Sequence, residues 1–244
     1  MKTWEELTSC KTHGEFIGKF YNINGDKKYG GACQQCLKAA DKKEQEANDK
    51  EEKGRAAARK IRARENSGIS KRNLFKTFDD YICTNEGQSK AKNDCVRFTE
   101  SFPSDKSLIM SGDVGTGKTL LASAIVDALV DDYRCEIVKV IELVRSLKAT
   151  WSKESKETEE ELIRYFVGLD LLILDEVGTQ FGSDTEKLFV FDIIDGRYQD
   201  MKQTVLISNL DIDGIKDSIG ERCVDRLREG GGMMIAFDWK SLRQ

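Results

Sequence analysis

The segment Gly112-Asp113-Val114-Gly115-Thr116-Gly117-Lys118-Thr119 constrains this chain more than any other, because it fits the pattern G-x-x-x-x-G-K-[ST] in full. Such a segment has to join a strand to a helix. Its glycines let the backbone wrap around phosphates without a side chain in the way, and successive amide N–H groups at the helix start meet the anion. Both flanks read correctly. Residues 108–110 are short and apolar, and between 118 and 130 Leu121, Ala124, Ile125, Ala128 and Leu129 fall on one helical face. Lys118 adds positive charge, and Thr119 offers a hydroxyl to Mg2+, which bridges the β- and γ-phosphate oxygens. Residues 112–119 are therefore read as a nucleotide-binding loop.

Beyond Leu74, short apolar runs alternate with helical periodicity, as in an α/β domain built on a parallel sheet. Strands are expected at 108–110, 136–141, 169–174, 204–208 and 233–237. The run Leu171-Leu172-Ile173-Leu174-Asp175-Glu176 ends in two acids where an open α/β sheet presents its ligand-binding edge. Asp175 is suited to organising Mg2+, and Glu176 to orienting and polarising the attacking water as a general base. Asn209 closes the next strand, either as an amide beside the γ-phosphate or as the N-cap of the following helix. Arg222, Arg226 and Arg228 lie in a stretch of helical character, with Arg222 and Arg226 on one face. An arginine supplied by a neighbouring subunit can stabilise the charge that develops as a γ-phosphoryl group leaves. A salt-bridged surface helix is the other reading of the same residues.

The chain has 244 residues, enough for one sizeable domain and an appendage. A net charge of -4 gives no global attraction to nucleic acid, so any DNA contact has to come from a local basic face. No stretch has the length or apolar character of a signal peptide or membrane span, which points to the cytoplasm. Seven cysteines in such a compartment are expected to stay reduced. Four residues form two short-spaced pairs, Cys10-Lys11-Thr12-His13 and Cys33-Gln34-Gln35-Cys36, separated by nineteen residues. Each pair can grip one edge of a tetrahedral Zn2+, and four protein ligands make the ion structural rather than catalytic. Asn24-Gly25 between them reads as a hairpin turn. Cys83, Cys95, Cys135 and Cys223 show no pairing and read as packing residues. Residues 38–64 favour helix, and Lys53, Arg55, Arg59, Lys60, Arg62 and Arg64 make one end basic, as a solvated connector or as a nucleic-acid or partner contact.

Together GDVGTGKT, LLILDEVG, LISNL, GERCVDRLR and the terminal FDWKSLR resemble the DnaC/IstB-like AAA+ group, most closely the DnaC-type loaders of replicative helicases. The resemblance runs from about Ser70 to the C-terminus and includes the entry segment 68–75. It implies an AAA+ P-loop domain at 69–244 with a five-stranded parallel sheet, and the cysteine spacing and composition place a zinc-ribbon-like module at 1–37 and a charged helical linker at 38–68 before it. By the same comparison Gly112 to Thr119 bind ATP and Mg2+, Asp175 and Glu176 form the Walker B pair, and Asn209 is similar to sensor 1. Arg226 resembles the arginine finger. Arg243 falls where the family carries a sensor 2 arginine, and with the sequence ending one residue later a minimal or absent helical lid is expected. The segment 147–151 is similar to the DNA-contact region of these loaders, which singles out Lys148 and Trp151. An exposed aromatic there could stack on a base, worth roughly 1–3 kcal/mol, whereas ordinary core packing is the alternative for a tryptophan. The implied activity is slow, DNA-stimulated ATP hydrolysis that loads a hexameric replicative helicase onto single-stranded DNA. The implied assembly is a homo-oligomer when ATP is bound, with the zinc module holding the helicase. Two rival readings are an IstB-type transposition helper acting on duplex DNA and a zinc-bearing adaptor that binds nucleotide as a switch, the latter disfavoured by Glu176.

Overall fold

The structure is a computed structural model that describes residues 3–23, 26–29, 31–178 and 183–241. It divides into two compact units, Met1–Arg59 and Lys60–Gln244, so the division falls inside the helix expected to be a connector. The first unit contains an antiparallel sheet of β1 (Thr3–Cys10), β2 (Gly14–Ile23) and β3 (Asp26–Tyr29). Period-2 alternation brings Trp4 opposite Phe20, their rings stacked with centroids 6.2 Å apart. The expected turn at Asn24-Gly25 lies outside the described residues. Helix α1 (Gln34–Asn66) follows and continues into the second unit. It buries no residue, so its continuity rests on the helix propensity of its Ala, Lys, Arg, Gln and Glu content. It starts earlier than the 38–64 expected from composition, which places Cys36 in its first turn.

The second unit is a parallel sheet of five strands in the order β5-β6-β7-β4-β8. Its strands are β4 (Leu108–Gly112), β5 (Cys135–Lys139), β6 (Leu171–Val177), β7 (Gln203–Ser208) and β8 (Met233–Phe237). Alternation along each strand sorts side chains into two cores. Leu108, Met110, Leu171, Ile173, Val205 and Ile207 pack with α2 (Glu86–Glu100) and α3 (Lys118–Leu129). Ile109, Leu172, Leu174 and Leu206 pack on the other face with α4 (Val140–Ala149), α5 (Glu159–Gly168), α6 (Asp184–Gln199), α7 (Ile212–Ile219) and α8 (Glu221–Arg228). The fold is thus the doubly covered α/β P-loop arrangement that the motifs imply.

Several strand boundaries differ from expectation, two of them with consequences. The strand expected at 136–141 stops at Lys139, because Val140, Leu143, Val144 and Leu147 are buried at helical spacing and belong to α4. The strand expected at 169–174 runs instead over Leu171–Val177, so that both acids sit on it. Among the described residues no helical subdomain follows β8, and no helix is long and apolar enough to cross a membrane.

Candidate functional site

The loop from Gly112 to Thr119 wraps from β4 into α3 as the motif requires. Gly112 has φ +129° and Gly117 has φ +95°; a Cβ at the first would collide with the Phe237 carbonyl and at the second with the Tyr81 ring. Only glycine satisfies both the backbone and the space. Lys118 is buried and donates from Nζ to the carbonyls of Gly112 (2.6 Å) and Asp113 (2.7 Å). Burial pushes its pKa below the ordinary lysine value, partly offset by Asp175 and Asp113. The Thr116 carbonyl accepts two side-chain donors, Tyr81 Oη at 3.0 Å and Trp239 Nε1 at 3.1 Å. Tyr81 lies in no motif and Trp239 lies in the terminal FDWKSLR segment, 35 and 123 residues from Thr116 along the chain, and the three meet only in the fold.

Asp175 is buried at the end of β6, and its Oδ2 accepts from the Thr119 hydroxyl at 3.2 Å. Desolvation raises its pKa, while hydrogen bonds from the Glu176 amide and Thr119 act the other way. Asp175 and Thr119 are therefore already adjacent in the arrangement that a shared Mg2+ would need. Among the described residues Glu176 is one of three non-glycine residues with positive φ, at +59°. The β6–β7 register shifts between Leu174 and Val177 at the same point. A backbone held in this region costs on the order of 1 kcal/mol or more and turns the Glu176 carboxylate out of the strand's regular alternation. Its Oε1 lies 2.8 Å from Lys139 Nζ, at the end of the neighbouring β5. The hydrogen bond to Glu176 raises the Lys139 pKa. Lys139 is a second functional neighbour that the sequence did not signal.

Asn209 follows β7 and is exposed. The cap of α7 is Asp211, whose side chain accepts from Gly214 N at 2.8 Å, so the capping alternative for Asn209 does not hold. Arg222 and Arg228 are exposed on α8, whereas Arg226 is half-buried and paired with Asp195 at 3.0 Å. Arg243 lies outside the described residues. At the end of α4, Lys148 pairs with Glu186 at 2.6 Å. Trp151 is 59% exposed, with its Nε1 donating to Glu159 Oε2 at 2.6 Å. Its ring also lies against buried Phe189, with centroids 6.0 Å apart, so the side chain is packed on one side and open on the other.

In the first unit, Cys10, His13, Cys33 and Cys36 bring their ligand atoms within 4.8 Å of one another. His13 Nδ1 lies 3.3 Å from Cys33 Sγ, 3.3 Å from Cys36 Sγ and 3.8 Å from Cys10 Sγ, and the Cys10 and Cys36 sulfurs are 3.5 Å apart. A tetrahedral ion with metal–sulfur bonds of about 2.3 Å and metal–nitrogen bonds of about 2.0–2.1 Å requires ligand separations of roughly 3.5–3.8 Å. The separations of 3.5 and 3.8 Å fall in that range and the two of 3.3 Å lie just below it, so small side-chain adjustments would accommodate the ion. The Cys36 amide also donates to Cys33 Sγ at 3.3 Å, which supports a thiolate there. Backbone amides of Thr12 and His13 bring the Cys10 thiol down to about 6, whereas hydrogen bonds with the Cys33 and Cys10 sulfurs push Cys36 up to about 12. Three sulfurs so close repel one another as thiolates, and a divalent cation at their centre removes that repulsion.

Fold and loop geometry together define a P-loop nucleotide-binding protein of the AAA+ type. The chain belongs to the family described as IstB-like ATP binding protein, whose model matches residues 41–225. It is 38% identical over 180 residues to a replicative helicase loader DnaC from Buchnera aphidicola subsp. Acyrthosiphon pisum, covering 73% of each chain. To the replicative helicase loader DnaC of Escherichia coli K12 it is 32% identical over 179 residues, covering 72% of this chain and 73% of the other. Among solved structures, a crystal structure of the DnaC helicase loader superposes with TM-score 0.61 at 23% identity, covering 68% of this chain and 99% of that one. The fold is shared at that level.

Proposed function

We propose that this chain loads a hexameric replicative DNA helicase onto single-stranded DNA, using ATP binding and hydrolysis to time the loader's engagement and departure. The observation that carries the reading is the nucleotide site that brings Lys118 and Thr119 at the start of α3 to Asp175 and Glu176 at the end of β6, in a chain 38% identical to a protein named as a replicative helicase loader. Residues 112–119 wrap the phosphates, with Lys118 exchanging the carbonyls of Gly112 and Asp113 for phosphate oxygens. Thr119 and Asp175 would hold Mg2+, whose chemistry is to bridge and neutralise the phosphate oxygens. Glu176 orients the attacking water, Asn209 fixes it beside the γ-phosphate, and Arg226 of an adjacent copy stabilises the charge on the leaving group. An ATP-bound homo-oligomer follows from that sharing of sites.

Lys148 and Trp151 contact single-stranded DNA, the first through phosphate and the second by stacking on a base. Arg243 acts as sensor 2. The module at 1–37 binds Zn2+ through Cys10, His13, Cys33 and Cys36 and holds the helicase, and the linker at 38–68 joins it to the ATPase domain at 69–244. The site of action is the cytoplasm.

The test is to mix the purified chain with the replicative helicase of its host and follow complex formation and ATP hydrolysis with and without single-stranded DNA. A helicase complex and DNA-stimulated phosphate release are expected. Absence of any helicase complex under every nucleotide condition would defeat the proposal, and retrieval of a transposase in place of a helicase would substitute the transposition-helper reading.

A further inference from the structure

Arg226 occupies a distinct setting at the end of α8. Its guanidinium carbon lies over the Tyr198 ring, 4.3 Å from the centroid. Asp195 Oδ1 accepts from its Nε at 3.0 Å, and Asp195 Oδ2 is itself held by Gln199 Nε2 at 2.5 Å. Glu229 lies farther off, 3.5 Å from Nη1. The group borders a cavity of about 420 Å³ that also takes in Ser107 and Thr204, at the beginnings of β4 and β7.

That position decides which phosphates Arg226 can reach. The nucleotide loop follows the far end of β4, and five strand residues at about 3.3 Å each put roughly 13–16 Å of sheet between the loop and this cavity. An arginine here serves a nucleotide held by a second copy, not its own. The inference below rests on that reading of Arg226 as a residue acting in trans.

We infer that Tyr198 is the positioning residue for Arg226: its ring is the seat that holds the guanidinium ready for the γ-phosphate of a second copy. A carboxylate can hold an arginine only by supplying the counter-charge that a phosphate needs to find unopposed. An aromatic face holds the same group through its quadrupole and leaves the positive charge intact. The ring faces the guanidinium carbon, Nε and Nη1 are engaged by Asp195 and Glu229, and the Tyr198 hydroxyl is itself hydrogen-bonded to Glu229 and Arg226, so the ring fixes the group while its carboxylate partners can be exchanged for phosphate. Asp195 engages Nε, and an arriving phosphate has to compete with Asp195 and Glu229 but not with the ring.

Mixed full-length chains test this. A Lys118→Ala chain keeps Arg226 but loses its own nucleotide grip, and an Arg226→Ala chain keeps the grip but lacks the arginine. Each alone is expected to hydrolyse ATP poorly, and mixing them restores turnover at the shared interfaces. Adding Tyr198→Leu to the Lys118→Ala chain is expected to cut the restored kcat about fivefold to tenfold with KM little changed, and Tyr198→Phe, which keeps the ring, to preserve it. If Arg226→Ala hydrolyses normally, or mixing restores nothing, the trans reading fails and this inference with it. If Tyr198→Leu restores as well as its parent, the trans reading stands and the role of the ring is overturned. Melting curves accompany each variant. Should Tyr198→Leu unfold early, Lys118→Ala/Asp195→Asn decides instead. Restoration equal to or above the parent supports the ring as the seat, and a loss like that expected for Tyr198→Leu overturns it by assigning placement to the carboxylate.

Discussion

Removing both donors to the Thr116 carbonyl should weaken nucleotide binding by more than the two single removals predict together. The carbonyl of Thr116 and the amide N–H of Gly117 share one planar peptide and point in opposite directions. Tyr81 Oη and Trp239 Nε1 hold the oxygen on one side, so they aim the Gly117 N–H to the other, where the loop wraps its anion. Thr116 is fully buried, so its carbonyl depends on these two side chains for its partners. With Tyr81→Phe or Trp239→Phe the oxygen keeps one partner, so each change costs about 1 kcal/mol of loop orientation, or about fivefold in apparent affinity. With both changed, a buried acceptor is orphaned, which adds about 1–3 kcal/mol and brings the total loss to at least about 100-fold. The lost ring volume of Trp239 enters both arms of the double-mutant cycle and cancels. Equilibrium titration with a fluorescent ATP analogue and Mg2+ measures all four chains. If the double variant's loss equals the sum of the single losses to within about 0.3 kcal/mol, the shared-acceptor argument is refuted.

Four further outcomes are expected. Glu176→Gln should keep ATP affinity and lower phosphate release by about 100-fold or more, measured in single turnover. Asp175→Asn should abolish Mg2+-dependent nucleotide binding yet raise the melting temperature by a few degrees at pH 7. Burial raises the Asp175 pKa above its ordinary 3.8, so the native state is favoured while the group is protonated and loses that advantage as pH rises through the raised value. The gain from Asn should accordingly shrink as pH is lowered towards 3.8. Arg197→Met should cost about 3–5 kcal/mol and lower the melting temperature by on the order of 10 °C, because the fully buried guanidinium satisfies the carbonyls of Phe166, Leu169 and Gln203. Metal analysis should find one zinc per chain, lost in Cys33→Ser with no change in ATP affinity.

The strand positions and the nucleotide loop were legible because each is a local pattern: a short apolar run, a glycine spacing, two acids after Leu174. The boundary at Lys139 was not, since Ile137 to Val144 is apolar enough to satisfy either period and only the burial of Val140, Leu143, Val144 and Leu147 selects the helix. The clustering of Cys10, His13, Cys33 and Cys36 was legible from spacing alone, although the choice of His13 Nδ1 as the inward nitrogen depends on the turn that carries it. What stayed hidden were partners far apart in sequence. Tyr81 and Trp239 meet at Thr116 from opposite ends of the domain, and Tyr198 meets Arg226 because α6 and α8 pack together. No window of sequence contains such a pair.

These hidden partners share a consequence. Four charged groups proposed to act on a ligand are held by groups of this chain: Lys118 by two carbonyls, Glu176 by Lys139, Arg226 by Tyr198 and Asp195, Lys148 by Glu186. The three side-chain ion pairs are partly exposed, so each contributes little to stability, roughly 0–1 kcal/mol. Exchange for a phosphate or a DNA backbone is correspondingly inexpensive. Lys118 differs, because it is buried and its carbonyl partners carry no net charge, so a polyphosphate gives it a far stronger counter-ion than it surrenders. The nucleotide loop is therefore where binding free energy is concentrated, and the exposed pairs at Glu176, Arg226 and Lys148 are where a modest share of it can be used to change partners.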